Sequence, residues 1–385
     1  MIYFDNAATT AIKPESVGKT MSDVLTSGHF GNPGRDSSNY SVNSSLLVEQ
    51  TREKIAQLFN VPSSDFVMFT SNATDSLNTT LKGLLKPGDH VISTNYEHNS
   101  VIRPLEQLRR NNVDIDYVPF DTETGVINIE DFETRIKSNT KAIVCTYASN
   151  VTGYVLPIDN IGKLCKKYNL LFIVDAAQSA GFIDIDIQKQ GIDVLCFTGH
   201  KSLYGPQGTG GICLKESLPI EPLKSGGTGI DSFNSNMPDE FPTRLEAGTM
   251  NVPGIAGLYE GIDYILKYGL NNIRQYVIGL TDEAIDGLDK YPEVKIYTPR
   301  TGLRTGVIAF NVGDLNSAEV GQWLWDEYQI ANRTGAHCAP KVLESFNLVE
   351  QGIVRLSFSS FNTSEEIKVF LGAMEELIIE YRKEI

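Results

Sequence analysis

Through its first two-thirds the chain alternates short β-rich runs with helical patterns, and nothing else in the sequence restricts the fold as much. Such alternation predicts a parallel sheet, because parallel neighbours can be joined only by a long crossover that packs back on the sheet. The strands are expected at 66–70, 90–94, 115–119, 142–147, 171–174 and 194–198. Several are apolar at every position, as in Leu171-Phe172-Ile173-Val174, which predicts strands covered on both faces. Leu77, Leu81 and Leu84 recur at helical spacing, so a helix should open near Asn72. A further strand is expected at 210–214, after a loop rich in Gly.

The pattern then changes. Gly, Ser and Asn crowd 223–236, a long loop or boundary. Beyond Asn251, helical stretches at 254–267 and 273–288 lead into segments at 306–311, 318–328 and 352–359, and a last helix from Ser364. The expected class is α/β. A large domain at 13–250 would carry the mostly parallel sheet and flanking helices, and 1–12 with 251–385 would form a smaller α+β domain.

Composition narrows the chemistry. Of 385 residues, 33 are Lys or Arg and 48 Asp or Glu, a net charge of −15. An acidic surface repels phosphate backbones and anionic headgroups, which argues against nucleic-acid and membrane partners. No run approaches the ~18 apolar residues of a spanning helix. Met1-Ile2-Tyr3-Phe4-Asp5 has neither the basic region nor the apolar stretch of a secretion signal. The five cysteines are odd in number and none stands in a CxxC spacing, so zinc and dithiol motifs are absent. A reduced, cytoplasmic setting is expected.

Four strand ends carry chemistry. Asp175 follows the apolar run at 171–174, at the carboxyl edge where open α/β sheets bind ligands, although an aspartate there also serves as a helix cap. The next strand ends in Thr198-Gly199-His200-Lys201. A lysine and an aspartate on one sheet edge are what pyridoxal phosphate requires, one for a Schiff base and one for the pyridinium nitrogen. Its phosphate needs a helix N-terminus, which Ser71-Asn72-Ala73-Thr74 would supply. The strand at 90–94 leads to Glu97-His98-Asn99, where His98 could lie over a ring. The strand at 142–147 leads to Ser149-Asn150. Gly205-Pro206-Gln207-Gly208-Thr209-Gly210-Gly211 resembles a nucleotide loop only in composition, since it joins no strand to a helix.

These motifs, with Phe4-Asp5-Asn6-Ala7-Ala8-Thr9-Thr10 and Glu246-Ala247-Gly248-Thr249-Met250-Asn251, resemble the class V aminotransferase group of fold-type I pyridoxal-phosphate enzymes. Within it the match is to the cysteine desulfurase and selenocysteine lyase family, in order along nearly the whole chain. The resemblance implies that Lys201 is the Schiff-base lysine and proton shuttle, Asp175 the partner of the pyridine nitrogen, Gln178 that of the ring oxygen, and His98 the stacking histidine. It places Ala73, Thr74, Thr198 and His200 at the phosphate. Thr249 would reach the phosphate of a neighbouring subunit, which implies a homodimer. Asn150, Arg333 and Arg355 would hold the amino-acid substrate, an arginine fork suiting a carboxylate.

Arg333-Thr334-Gly335-Ala336-His337-Cys338-Ala339-Pro340 resembles the shorter-loop group of cysteine desulfurases, in which this cysteine carries a persulfide. A cysteine beside a histidine, with an arginine five residues earlier, has surroundings of the kind that favour a thiolate, though a lone cysteine also serves as a small core residue. Cys145, Cys165, Cys196 and Cys213 fall in strand or helix patterns and read as structural. The resemblance implies L-cysteine or L-selenocysteine as substrate, alanine as product and a sulfur-acceptor protein as partner. It departs from the group's common pattern at Ala336 and Pro340. Selenocysteine lyase, or an aminotransferase or β-lyase that does not use Cys338, are the alternatives.

Overall fold

The computed structural model describes residues 1–34 and 38–384. In chain order come β1 (Ile2–Tyr3), α1 (Glu15–Thr26), α2 (Asn39–Phe59), β2 (Val67–Thr70), α3 (Ala73–Leu84) and β3 (His90–Thr94). Next are α4 (Asn99–Arg109), β4 (Asp114–Val118), α5 (Ile129–Glu133), β5 (Thr140–Thr146), α6 (Ile158–Tyr168), β6 (Leu171–Asp175), β7 (Val194–Thr198) and β8 (Gly210–Leu214). The remainder holds α7 (Val252–Tyr268), α8 (Leu270–Leu288), β9 (Val294–Ile296), β10 (Val307–Val312) and α9 (Ser317–Tyr328). It ends with β11 (Ile330–Ala331), α10 (Pro340–Phe346), β12 (Val354–Ser357) and α11 (Ser364–Glu384).

A seven-stranded sheet runs β2-β8-β7-β6-β5-β3-β4, parallel except where β8 lies antiparallel to β2 and β7. The apolar runs have a simple cause. Successive side chains of a strand point to opposite faces. Phe172 and Val174 of β6, with Leu195 and Phe197 of β7, enter one buried cluster. Ile173, Val194 and Cys196 enter another. Both faces are therefore covered, so both registers are apolar.

The expected strands at 90–94, 194–198 and 210–214 have those limits in the structure, and the others differ by a residue or two at their ends. The Asn72 side chain caps α3 by accepting from the Asp75 amide. Residues 223–236 have no helix or strand. A second sheet, β12-β10-β9, is antiparallel. β1 pairs in parallel with β11, which brings the start of the chain beside its last third.

Candidate active site

The carboxyl ends of β3, β5, β6 and β7 converge on one cavity of about 340 Å³. Lys201 and His200 follow β7, Asp175 ends β6, Asn150 follows β5, and His98 caps α4 after β3. The N-terminal turn of α3 contributes Ala73 and Thr74, and the segment between β11 and α10 brings Arg333 and Cys338. Gln178, Thr198 and Arg355 also line the wall. Of the residues singled out from sequence, only Thr249 lies elsewhere. It is exposed, and lines a second cavity of about 170 Å³ with Lys224 and Asp75. Its segment is pinned by Glu246, which accepts two hydrogen bonds from the buried Arg52, at 2.9 and 2.6 Å.

Electrostatics follow from burial. The Lys201 amine is pushed down to about 8, chiefly by desolvation, with Asp175 opposing and Arg355 adding to it. Burial raises the Asp175 carboxyl, against the Ala177 amide at 2.9 Å and the Lys201 charge. His98 and His200 are both driven to about 4 by desolvation, so each ring is neutral near pH 7. The Ser100 amide donates to His98 Nδ1 at 3.0 Å, which leaves the proton on Nε2. The Ser100 hydroxyl also meets the Thr74 hydroxyl at 2.8 Å, so it joins the two walls.

Arg355 is 1 % exposed. Its Nη1 donates to the Asn150 carbonyl at 2.9 Å and its Nη2 to Asp5 Oδ1 at 2.5 Å, while Nε is buried with no acceptor. Asp5 and the Asn150 carbonyl thus hold the guanidinium at the cavity wall.

The Cys338 loop is held closely. The Asn99 amide donates to the Cys338 carbonyl at 2.7 Å, and Asn150 Nδ2 to the His337 carbonyl at 2.7 Å. His337 and Cys338 both take left-handed backbone, with φ of 50° and 56°, a conformation that carries strain in non-glycine residues. Arg333 Nη2 lies 3.7 Å from the sulfur. The adjacent histidine does not supply positive charge. His337 Nε2 is bonded to the Ile353 carbonyl at 2.8 Å and burial drives the ring to about 3, so it is neutral. The other four cysteines are buried, and burial raises each thiol, Cys196 to about 12.

Two acidic residues had no assigned role in the sequence. Asp5 holds Arg355, and Glu97 lies beneath the site. Glu97 is fully buried, with Oε1 accepting from Thr94 Oγ1 at 2.5 Å and the Thr146 amide at 3.0 Å. Desolvation raises it to about 8. Both lie inside motifs that marked the resemblance, yet Asp5 is 350 positions from Arg355 and Glu97 is 49 from Thr146.

The site can hold an aldehyde cofactor bearing a phosphate. First-turn amides of a helix lack intrahelical acceptors and face an anion with a favourable dipole. His200 Nδ1 and Asn150 Oδ1, of two residues that line the same cavity, are buried without partners.

The class-V aminotransferase family model matches residues 2–370. This chain belongs to that family, in its cysteine desulfurase branch. It is 35 % identical to a probable cysteine desulfurase of Pyrococcus abyssi, over 98 % of this chain and 94 % of that protein. The cysteine desulfurase of Serratia proteamaculans is 31 % identical, over 98 % and 93 %. Among solved structures, the apo cysteine desulfurase of Thermococcus onnurineus NA1 superposes with a TM-score of 0.90 at 33 % identity, covering 98 % and 95 %. The Escherichia coli cysteine desulfurase CsdA (S-sulfonic acid) gives 0.86 at 27 %, covering 98 % and 94 %. The family comprises pyridoxal-phosphate-dependent enzymes, and the α/β fold with a mostly parallel central sheet is that of its members. Among the described residues no helix is long and apolar enough to cross a membrane.

Proposed function

We propose that this chain is a pyridoxal 5′-phosphate-dependent cysteine desulfurase that converts L-cysteine to L-alanine and leaves the sulfur as a persulfide on Cys338. One observation carries the reading: Cys338 shares a cavity with Lys201, Asp175 and Arg355. An aminotransferase or β-lyase has no use for a cysteine held there by the Asn99 amide on its own carbonyl and by the Asn150 side chain on that of His337.

The residues divide the work. Lys201 would carry the cofactor, Asp175 would face the ring nitrogen and Gln178 the ring oxygen. His98, a neutral ring, would stack. Ala73, Thr74, Thr198 and His200 would hold the phosphate. When bound, the cofactor supplies the electron sink that lets the substrate Cα lose its proton and weakens the Cβ–S bond. Arg355, with Asn150 and Arg333 beside it, would orient the substrate carboxylate. A lysine near pH 8 accepts and returns a proton under physiological conditions, which suits Lys201 to move the Cα proton. The Cys338 sulfur attacks the substrate sulfur, forming S–S as Cβ–S breaks. The electron pair stays with the carbon skeleton, which takes up a proton at Cβ to become alanine. Arg333, next to that sulfur, is the only cationic group the structure gives within bonding distance of it among the described residues.

A partner subunit would complete the phosphate site through Thr249, whose exposure in the single chain suits a homodimer. The persulfide would pass to an acceptor protein. The division into a unit of 13–250 and one of 1–12 with 251–385 is part of this reading, supported by the β1–β11 pairing. Assays of alanine release from cysteine and from selenocysteine, for wild type and Cys338→Ala, test it. Loss of the cysteine reaction in the variant is expected. Negligible cysteine activity in both, with equal selenocysteine activity, would make the chain a selenocysteine lyase.

A further inference from the structure

We propose that the N-terminal segment from Asp5 to Lys13 is the positioning element for Lys201, with Thr10 and Lys13 fixing the main chain on either side of it. This rests on the reading of Lys201 as the cofactor-binding lysine.

The two peptide groups that flank the Lys201 Cα are both tied to this segment. The Thr10 hydroxyl donates to the Lys201 carbonyl at 2.8 Å. The preceding carbonyl, that of His200, receives the Thr10 amide at 3.1 Å, the Thr9 hydroxyl at 3.2 Å and Lys13 Nζ at 3.2 Å. Holding both peptide planes fixes the Cα–Cβ direction, so the flexible four-carbon stem starts from one place. The need is plain from the local chain: Lys201 stands in the irregular stretch between β7 and β8, where Tyr204 takes a left-handed φ of 55°. Sites on loops are held accurately only when a second layer of contacts locks them.

Lys13 adds an independent sign. Its ammonium meets two carbonyls, those of Thr10 at 3.0 Å and His200, and no carboxylate among the described residues. Desolvation lowers its pKa to about 8. A half-buried cation without an acidic partner costs stability, which argues for a positional role over a stabilising one.

The same segment reaches two more groups of the cavity. The Ala7 carbonyl accepts from Gln178 Nε2 at 3.0 Å, and Asp5 pairs with Arg355 at 2.5 Å. Its own anchorage is firm. Asn6 Nδ2 donates to the Ser357 carbonyl at 2.9 Å, the Ser357 hydroxyl accepts from the Ala7 amide at 2.8 Å, and the buried Phe4 ring packs edge-on against Phe358. One short segment thus aligns the lysine with the groups meant for ring oxygen and carboxylate.

The test uses the full chain and the substitutions Thr10→Val, Thr10→Ser and Lys13→Met. One lost hydrogen bond that sets alignment predicts about a tenfold fall in kcat for Thr10→Val, with KM within about twofold. Thr10→Ser, which keeps the hydroxyl, should restore kcat to within about twofold of wild type. In cofactor-free protein, acetylation of Lys201 followed by mass spectrometry should run about threefold or more faster in Thr10→Val, with other lysines unchanged. If Thr10→Val does not fold, Lys13→Met is read on the same two measurements. Wild-type kcat and wild-type Lys201 labelling in the folded variants would overturn the inference alone. Wild-type protein that binds no pyridoxal phosphate at Lys201 would overturn the reading beneath it.

Discussion

Glu97 gives a prediction whose size can be worked from its surroundings. Its carboxyl is fully buried and Oε2 has no partner, so the charged form is heavily disfavoured. Asp175 adds a second negative charge nearby, and the acid rises from 4.5 to about 8. The folded protein therefore holds this proton at pH 7, whereas the unfolded chain has released it. A raised pKa means stability that is complete below pH 4.5 and is lost as pH climbs to about 8. At 1.36 kcal/mol per unit, a rise of about 3.5 units sets an upper bound of roughly 5 kcal/mol on that loss. Glu97→Gln keeps an acceptor for Thr94 and Thr146 but has no proton to lose. The assay is urea unfolding of wild type and Glu97→Gln from pH 5 to 9. Wild type should lose stability relative to the variant by several kcal/mol up to pH 8, and the two should run parallel above it. Parallel curves throughout would show that Glu97 is ionised in the fold. Glu97→Ala, which leaves the Thr94 hydroxyl and the Thr146 amide without their acceptor, should cost about 3 kcal/mol at pH 7.

Two further outcomes are expected. Arg355→Lys, which removes the planar fork, should raise KM for cysteine by about ten- to a hundredfold, measured by steady-state alanine release. Cofactor uptake by cofactor-free protein needs the neutral Lys201 amine. With the amine at about 8 instead of 10.5, pH 7 holds about 300-fold more of that form. The uptake rate, followed by the visible band of the loaded protein, should rise with pH and level off above about 8. A continued rise to pH 10 would place Lys201 among ordinary lysines.

Much of the framework was legible because two periodicities are local. Strands covered on both faces show as unbroken apolar runs, so β3, β6 and β7 could be read from the chain, and with them the edge where Asp175 and Lys201 stand. α2 could not. Its Ser, Asn and Thr content hides the stripe of Val48, Ile55 and Phe59 that it buries. The site divided along the same line. Residues at strand ends were found by position, whereas Arg333 and Arg355 came from motif likeness alone and Cys338 from motif likeness together with its neighbours. Contacts across great chain separation left no trace. Nothing near Thr10 announces that it will hold Lys201, nor does Asp5 declare Arg355. His337 misled in the opposite way, since adjacency to Cys338 implied a charged neighbour and burial keeps the ring neutral, against the pull of the Ile353 carbonyl.

The central claim is that sulfur passes from the substrate to Cys338. Pyridoxal-phosphate-loaded wild-type protein, given L-cysteine without reductant, is alkylated, digested and weighed. The peptide bearing Cys338 should gain one sulfur atom, released by a thiol reductant, while peptides bearing Cys145, Cys165, Cys196 and Cys213 stay unchanged. Alanine formed with no added sulfur on Cys338 would contradict the account.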